Sequence, residues 1–273
     1  MRGYFSCDWF LYPQTCAIVK GVRDFECMPL AVMPQAWDHP DWLWELKYDG
    51  FRSLACVEGR ACRLVSRKHA PYRSFKALDA AILANFGCDV VLDGEIVCLD
   101  ENGCPQFYDL LWHRAEPWFY AFDVLSLDGR DLRTRPLLER KRILRSLIPP
   151  QPCRILYADY VAEHGVKLFE AAVERDLEGV VAKQKNGLYT PESTTWVKVR
   201  NPGYSQGEGR RRRGTPWRKG IVPGAPHTSG KITAAHATSF SPTAIMKPAL
   251  KLRSTRANTT GRIKTWTAII PAS

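Results

Sequence analysis

The sequence predicts an α+β fold of mainly antiparallel sheets flanked by helices, followed by a disordered basic tail. Three observations lead there. Short β-like runs outnumber helical ones; two of them, Arg52 to Val57 and Cys62 to Ser66, sit either side of Glu58-Gly59-Arg60 at hairpin distance; and acidic residues vanish near the C-terminus while basic ones do not. With 273 residues, 45% of them hydrophobic, the chain can bury a real core, and one large domain with appendages is expected.

Taken in order, residues 1–27 show no period and no helix cap, and Met28-Pro29-Leu30 makes a natural start. Residues 1–27 are therefore expected to be a disordered or non-native extension, and residues 28–206 the folded domain. Its β-like runs are Trp42 to Lys47, Arg52 to Val57, Cys62 to Ser66, Val90 to Cys98, Trp118 to Leu125, Arg154 to Val161, Gly179 to Ala182 and Trp196 to Val199. Helices are expected between them. Ser74 is placed to cap one whose Phe75, Leu78, Ile82 and Phe86 recur at helical spacing; a second covers Leu137 to Leu147; Val166, Phe169 and Val173 mark a third. Past Tyr204, Gly, Pro, Ser, Thr and Arg dominate and apolar residues lose their period, so residues 207–273 are expected to form a low-complexity tail.

Charge and cysteine usage narrow the function classes. The net charge is +11, yet thirteen of the 39 Lys and Arg, and only one of the 28 acids (Glu208), lie from Asn201 onward. A nearly neutral body thus carries a basic tail able to hold phosphates without sequence preference. Nine cysteines with no C-x-x-C pair suit the reduced thiols of a cytoplasm and argue against a disulfide framework or zinc site. No apolar run reaches eighteen residues and no signal pattern opens the chain, so neither membrane insertion nor export is expected.

The chemistry-bearing stretch is Lys47-Tyr48-Asp49-Gly50-Phe51-Arg52. Alone, it fits a plain Asp-Gly hairpin equally well. A lysine becomes a nucleophile only as the neutral amine, which burial or cationic neighbours favour. Arg52, Lys183, Lys198 and Arg200 are candidates for such neighbours, and period-two spacing puts the last two on one strand face. The same cations would hold a triphosphate, and Glu95 and Glu178 could bring the magnesium that neutralises it. Blander roles are open for several residues. Phe122 could be core packing and Trp196 structural; Asp49 and Asp93 could mainly hold turns; His69, His113 and His164 have no metal-spaced partners and suit surface or helix-end positions.

Taken together, the set resembles the covalent nucleotidyltransferase superfamily of DNA ligases, RNA ligases and capping enzymes. The family's K-x-D-G-x-R matches Lys47 to Arg52, its Ser-Arg element Ser66-Arg67, D-G-E Asp93-Gly94-Glu95, the aromatic-Asp element Phe122-Asp123, E-G-x-V-x-K Glu178 to Lys183, and W-x-K-x-K Trp196 to Arg200. The likeness covers roughly Pro29 to Gln206, and Glu45-Leu46 before the lysine and Asn201-Pro202-Gly203-Tyr204-Ser205-Gln206 at the end look most like bacterial end-joining ATP-dependent DNA ligases. The resemblance implies the ATP-grasp-like nucleotidyltransferase fold of a ligase adenylation domain, with ATP and Mg2+ or Mn2+ as cofactors. It implies nicked or broken DNA as substrate, an end-binding protein as a possible partner, and a nucleoid-associated place in a bacterial cytoplasm. By similarity, Lys47 takes AMP from ATP as a lysyl-AMP and passes it to a DNA 5′-phosphate. Glu45 lies beside the adenine and Phe122 stacks on it; Arg52 and Glu95 contact the ribose side; Arg67 addresses phosphate at the nick; Lys183, Lys198 and Arg200 bind the α-phosphate and its neighbours; Glu178, with Glu95, is the metal carboxylate.

Three departures stand beside it. Lys68-His69 replaces the family's usual Asn-Gly after Ser66-Arg67; Arg200 replaces a lysine; and no recognisable OB-fold follows Gln206, where the run Arg210 to Arg213 stands instead. The alternatives are an RNA ligase or capping guanylyltransferase, which shares the nucleophile motif, and a truncated remnant that binds nucleotide or DNA without sealing.

Overall fold

The computed structural model describes residues 24–149 and 153–207. The expected extension as far as residue 23, and the tail beyond residue 207, lie outside the described residues. The elements run β1 (Ala31–Met33), β2 (Asp38–Lys47), β3 (Phe51–Glu58), β4 (Ala61–Ser66), α1 (Lys76–Leu83), β5 (Val90–Val97), α2 (Phe107–Leu111), β6 (Trp118–Leu127), β7 (Arg130–Asp131), α3 (Leu137–Leu147), β8 (Ile155–Tyr157), β9 (Tyr160–His164), α4 (Gly165–Glu174), β10 (Gly179–Gln184) and β11 (Trp196–Arg200). They build two sheets, of order β1-β11-β10-β2-β9 and β4-β3-β5-β6-β7, with β8 beside β6. All pairings are antiparallel except β1 with β11 and β6 with β8, and the expected β3–β4 hairpin forms in register from Ser53↔Ser66 to Glu58↔Ala61.

Strand alternation sorts the side chains into three cores. On the outer face of the first sheet, Trp42, Trp44, Val180, Ala182, Val197 and Val199 pack with Leu168 and Ala172 of α4. Trp37 closes this layer edge-on against Trp42 and Trp44, with ring centroids 5.1 and 4.7 Å away. On the outer face of the second sheet, Ala55, Leu92, Ile96, Phe119, Ala121 and Val124 bury Leu78 and Ile82 of α1 and Ile143 and Leu144 of α3. The inner cluster joins Leu54, Cys56 and Leu125 of the second sheet to Trp196 of the first, with Phe25, Met28 and Tyr189.

Several expectations change. Phe25 is buried, its ring lies under the Arg133 guanidinium, and Arg133 Nη1 donates to the Asp24 carbonyl; packing therefore takes in Asp24–Cys27, ahead of the expected start at Met28. Ser74 is no N-cap: a 3-10 turn, Arg73–Phe75, precedes α1, and Phe75 stands at the cap without a side-chain bond. In α4 the buried stripe is Gly165, Leu168, Ala171 and Ala172, while Val166 and Val173 are exposed. The run Arg154 to Val161 splits into β8 and β9, which belong to different sheets. The break at Ala158-Asp159 carries the chain from one sheet to the other. No disulfide joins the described cysteines, and no described helix is long and apolar enough to cross a membrane.

Candidate active site

Three neighbouring strands present their polar residues on one face in rows. Across β2, β10 and β11 the register sets Lys47 opposite Gly179 and Gly179 opposite Arg200; Glu45 opposite Val181 and Val181 opposite Lys198; Leu43 opposite Lys183 and Lys183 opposite Trp196. The backbones of Lys47 and Arg200 are thus two strand spacings apart, roughly 9.5 Å. From the second sheet one row answers them: Arg52 opposite Glu95, and Glu95 opposite Tyr120. A register shift leaves Phe122 unpaired between Ala121, opposite Gly94, and Asp123, opposite Asp93. Such a bulge re-aims a side chain, and Phe122 joins the lining of the cleft.

That cleft encloses about 440 Å³, part of it open to solvent, and its walls include Leu30, Glu45, Lys47, Arg52, Glu95 and Phe122 together with Tyr48, Tyr120, Ala158, Val181, Lys183 and Trp196. Six of the ten candidate site residues, Glu45, Lys47, Arg52, Glu95, Phe122 and Lys183, therefore line one cleft, while Glu178, Lys198, Arg200 and Arg67 stand outside its walls. The motif glycines let the backbones close around it. A Cβ on Gly50 would lie 2.1 Å from the Ile96 carbonyl oxygen, and one on Gly179, at φ 139°, 2.1 Å from that of Val199. Gly50 is thus required for close approach of the turn to β5, a different reason from the hairpin reading.

At one end, Lys47 Nζ donates to Glu178 Oε2 at 2.6 Å. Lys198 lies within electrostatic reach of Lys47, Glu178, Arg200 and Arg67; burial, with help from the neighbouring cations, lowers its pKa to about 8. Burial also pushes the Glu95 carboxyl up to about 7, Lys47 and Arg52 pulling down and Glu178 and Asp49 pushing up. Arg67 is exposed on the turn after β4, where His69 adopts φ 58° in place of the usual glycine and His69 N donates to the Ser66 carbonyl at 2.8 Å. The turn survives the departure from Asn-Gly.

At the other end the lining is aromatic and apolar with one ion pair, Glu45 and Lys183; Lys183 thus stands with Glu45 and not beside Lys47. Glu45, 3% exposed, accepts from Lys183 Nζ at Oε2 (2.6 Å) and from Lys141 Nζ at Oε1 (2.8 Å). Lys183 Nζ also sits 4.3 Å from the Phe122 ring centre and 3.9 Å from that of Trp196, and burial lowers its pKa to about 8. Arg52 stacks 4.5 Å over Phe122 while donating twice to Asp93, both at 2.6 Å. Asp93 is not a turn residue: it sits within β5, fully buried, and also accepts from Tyr189 Oη at 2.6 Å.

Lys141 was missed by motif reading, as were Tyr48 and Tyr120, whose rings meet at 4.3 Å on the cleft wall. The signal for Lys141 was present. Leu137, Arg140, Lys141 and Leu144 fall at i, i+3, i+4 and i+7, so two charges occupy the apolar stripe of α3, where only paired charges are tolerated. Arg140 pairs with Asp123 through two 2.8 Å bonds, and Lys141 with Glu45. Among the described residues no group of three or more His, Cys, Asp or Glu could hold a metal unaided.

Comparison with known proteins fits this geometry. The family model for the ATP dependent DNA ligase domain matches residues 30–200. The multifunctional non-homologous end joining protein LigD of Mycolicibacterium smegmatis is 34% identical over 190 residues, 63% of this chain and 24% of that protein. The DNA ligase of Monkeypox virus is 30% identical over 178 residues, 60% of this chain and 32% of that protein. Among solved structures, a mycobacterial DNA ligase D complexed with ATP and MES superposes with TM-score 0.60 at 28% identity, over 67% of this chain and 62% of that one. The chain spans about a quarter to a third of the length of the curated relatives it matches.

Proposed function

The chain belongs to the ATP-dependent DNA ligase domain family, and on that premise we propose that it transfers AMP from ATP through Lys47 to a 5′-phosphate at a break in DNA. The observation that carries this reading is the polarity of the site: Lys47 at one end of the cleft, with Lys198, Arg200 and Arg67 grouped electrostatically beside it, and Phe122, Trp196 and Val181 with the Glu45–Lys183 ion pair at the other. A triphosphate fits the cationic end and a base the aromatic end, which sets the α-phosphate beside Lys47.

In the first step the Lys47 amine gives up a proton, for which the Glu178 carboxylate at 2.6 Å is the acceptor within reach. Its lone pair attacks the α-phosphorus; the N–P bond forms as the bond to the bridging oxygen breaks, and pyrophosphate leaves with that electron pair. A DNA 5′-phosphate oxygen then displaces the lysine from phosphorus and the amine recovers its proton. Lys198 and Arg200 stabilise the charge that builds on the phosphoryl oxygens. Arg52, held by Asp93, presents a fixed guanidinium to the middle of the cleft. Glu95 and Glu178 suit a magnesium or manganese ion of the kind held by one or two carboxylates plus substrate phosphates, and no larger protein cage is needed. When bound, that ion neutralises phosphate charge.

Broken or nicked DNA as acceptor, an end-binding protein as partner and a nucleoid-associated place in a bacterial cytoplasm draw support from the 34% identity to a protein named for non-homologous end joining, and from the thirteen basic residues at and beyond Asn201. The test is incubation with α-labelled ATP and divalent metal, followed by denaturing electrophoresis. Label that survives on the protein, is absent with GTP and disappears in Lys47→Ala supports the reading. Label from GTP would point to a capping-type guanylyltransferase. Absence of label, together with failure to seal pre-adenylated nicked DNA, would leave a binding remnant.

A further inference from the structure

Lys141 shapes the base end of the cleft from behind. Its ammonium is 1% exposed and does not line the cleft, yet it contacts three residues that do. It donates to Glu45 Oε1 at 2.8 Å and to the Ala158 carbonyl at 2.6 Å, and lies 3.4 Å from the Phe122 carbonyl. An ammonium has three donors, and all three are directed at separate walls: β2, β6 and the link between β8 and β9. Lys183, by contrast, reaches Glu45 from inside the cleft and borders the space a nucleotide would enter. Both cations hold the carboxylate, Lys183 from the cleft side and Lys141 from behind, outside the space a nucleotide would enter.

Among the described residues, Glu45 is the one carboxylate at this end, set with Lys183 among aromatic and apolar side chains. It stands two residues along β2 from Lys47, roughly 6.6 Å of strand, so it faces the part of a nucleotide beyond the phosphates. A fixed carboxylate accepts from an exocyclic amine and repels a carbonyl oxygen. Adenine carries an amine at the position where guanine carries oxygen.

We propose that Lys141 is the positioning residue for base selection: by tying Glu45 to the Phe122 and Ala158 walls it sets the preference of the cleft for adenine over guanine nucleotides. The inference rests on the adenylation reading for what enters the cleft.

The experiment titrates ATP and GTP calorimetrically into the full chain carrying Lys141→Met, Lys141→Arg or no change. Wild type is expected to prefer ATP. Lys141→Met should reduce that preference on the order of 10-fold, the size expected for one misplaced charged hydrogen bond, chiefly through weaker ATP binding. Lys141→Arg should recover part of it. A merely structural lysine would lower the melting temperature in both variants and leave the ATP to GTP ratio at its wild-type value, which overturns the proposal. So does a wild type without preference. If Lys141→Met does not fold, Lys141→Gln replaces it, keeping a donor for Ala158 without the charge. Labelling from ATP separates the two readings: a wild type that prefers ATP and loses that preference in Lys141→Met, yet takes no label, upholds this inference and defeats adenylation. One that takes label while Lys141→Met keeps the ratio does the reverse.

Discussion

Lys47 Nζ, on the cleft wall, lies 2.6 Å from Glu178 Oε2, an ion pair that joins residues 131 positions apart. The lysine can attack only after losing a proton, and this carboxylate is positioned to receive it. Glu178→Gln keeps the size of the side chain and removes its basicity. Its rate of lysyl-AMP formation should fall on the order of 10²-fold, measured in single-turnover labelling at saturating ATP. A rate equal to wild type would remove Glu178 from the chemistry and leave it a structural partner of the lysine.

The Arg52–Asp93–Tyr189 cluster makes a stability prediction. Asp93 is fully buried and accepts two bonds from Arg52 and one from Tyr189, whose hydroxyl in turn accepts from Met28 N at 2.8 Å. Asp93→Asn leaves a largely buried guanidinium without its counter-charge, at a cost of about 3–5 kcal/mol. Tyr189→Phe strips one donor and one acceptor from a buried network and should cost about 1–3 kcal/mol. Urea unfolding of the two variants tests this. A loss for Asp93→Asn no larger than that of a surface substitution would show that Arg52 finds other partners.

The rows that build the cleft were legible because alternation is local: once Glu45 and Lys47 lie on a strand, they share a face, as do Trp196, Lys198 and Arg200. Composition could not give the pairing that brings Gly179 between Lys47 and Arg200, since register depends on partners far along the chain. Phe122 was legible by motif but its aim was not, because a one-residue bulge in β6 decides it. The split of Arg154 to Val161 was hidden for a related reason: β8 and β9 are both β-rich, and only tertiary pairing sends them to different sheets. Lys141 shows the opposite case, a signal present in the helical period of α3 that a motif search passes over.

Lys198 makes the pH dependence of nucleotide binding predictable. Burial, with help from nearby cations, lowers its pKa to about 8 from an ordinary 10.5. Between those values the unfolded chain holds a proton that the folded protein has released, so this group's contribution to stability rises with pH across that window. Phosphate binding runs the other way, since it needs the charged ammonium. ATP affinity should therefore weaken from about pH 7 to about pH 9, with protons taken up on binding. Lys198→Arg, which does not titrate in this range, should flatten the profile. Calorimetry in buffers of different ionisation enthalpy reads both quantities, and parallel profiles for the two proteins would assign the titration elsewhere.

His69 carries the last prediction. It holds φ 58° in the turn that follows Ser66-Arg67, and its Nδ1 is buried with no hydrogen-bond partner among the described residues. Both features oppose the native turn: a left-handed backbone costs an L-residue roughly 1–2 kcal/mol, and a buried unpaired nitrogen adds to this. His69→Gly relieves both, at the expense of about 0.5–1 kcal/mol for the added freedom of the unfolded chain. The variant should therefore be as stable as wild type or more so, by up to about 1 kcal/mol. Because the Ser66 and Ala70 backbone bonds that shape the turn do not involve the imidazole, Arg67 should keep its position and labelling from ATP its rate. A destabilised His69→Gly would mean that the ring supports the turn through packing, and that the replacement of Asn-Gly at this point is compensated by contacts of the imidazole instead of merely tolerated.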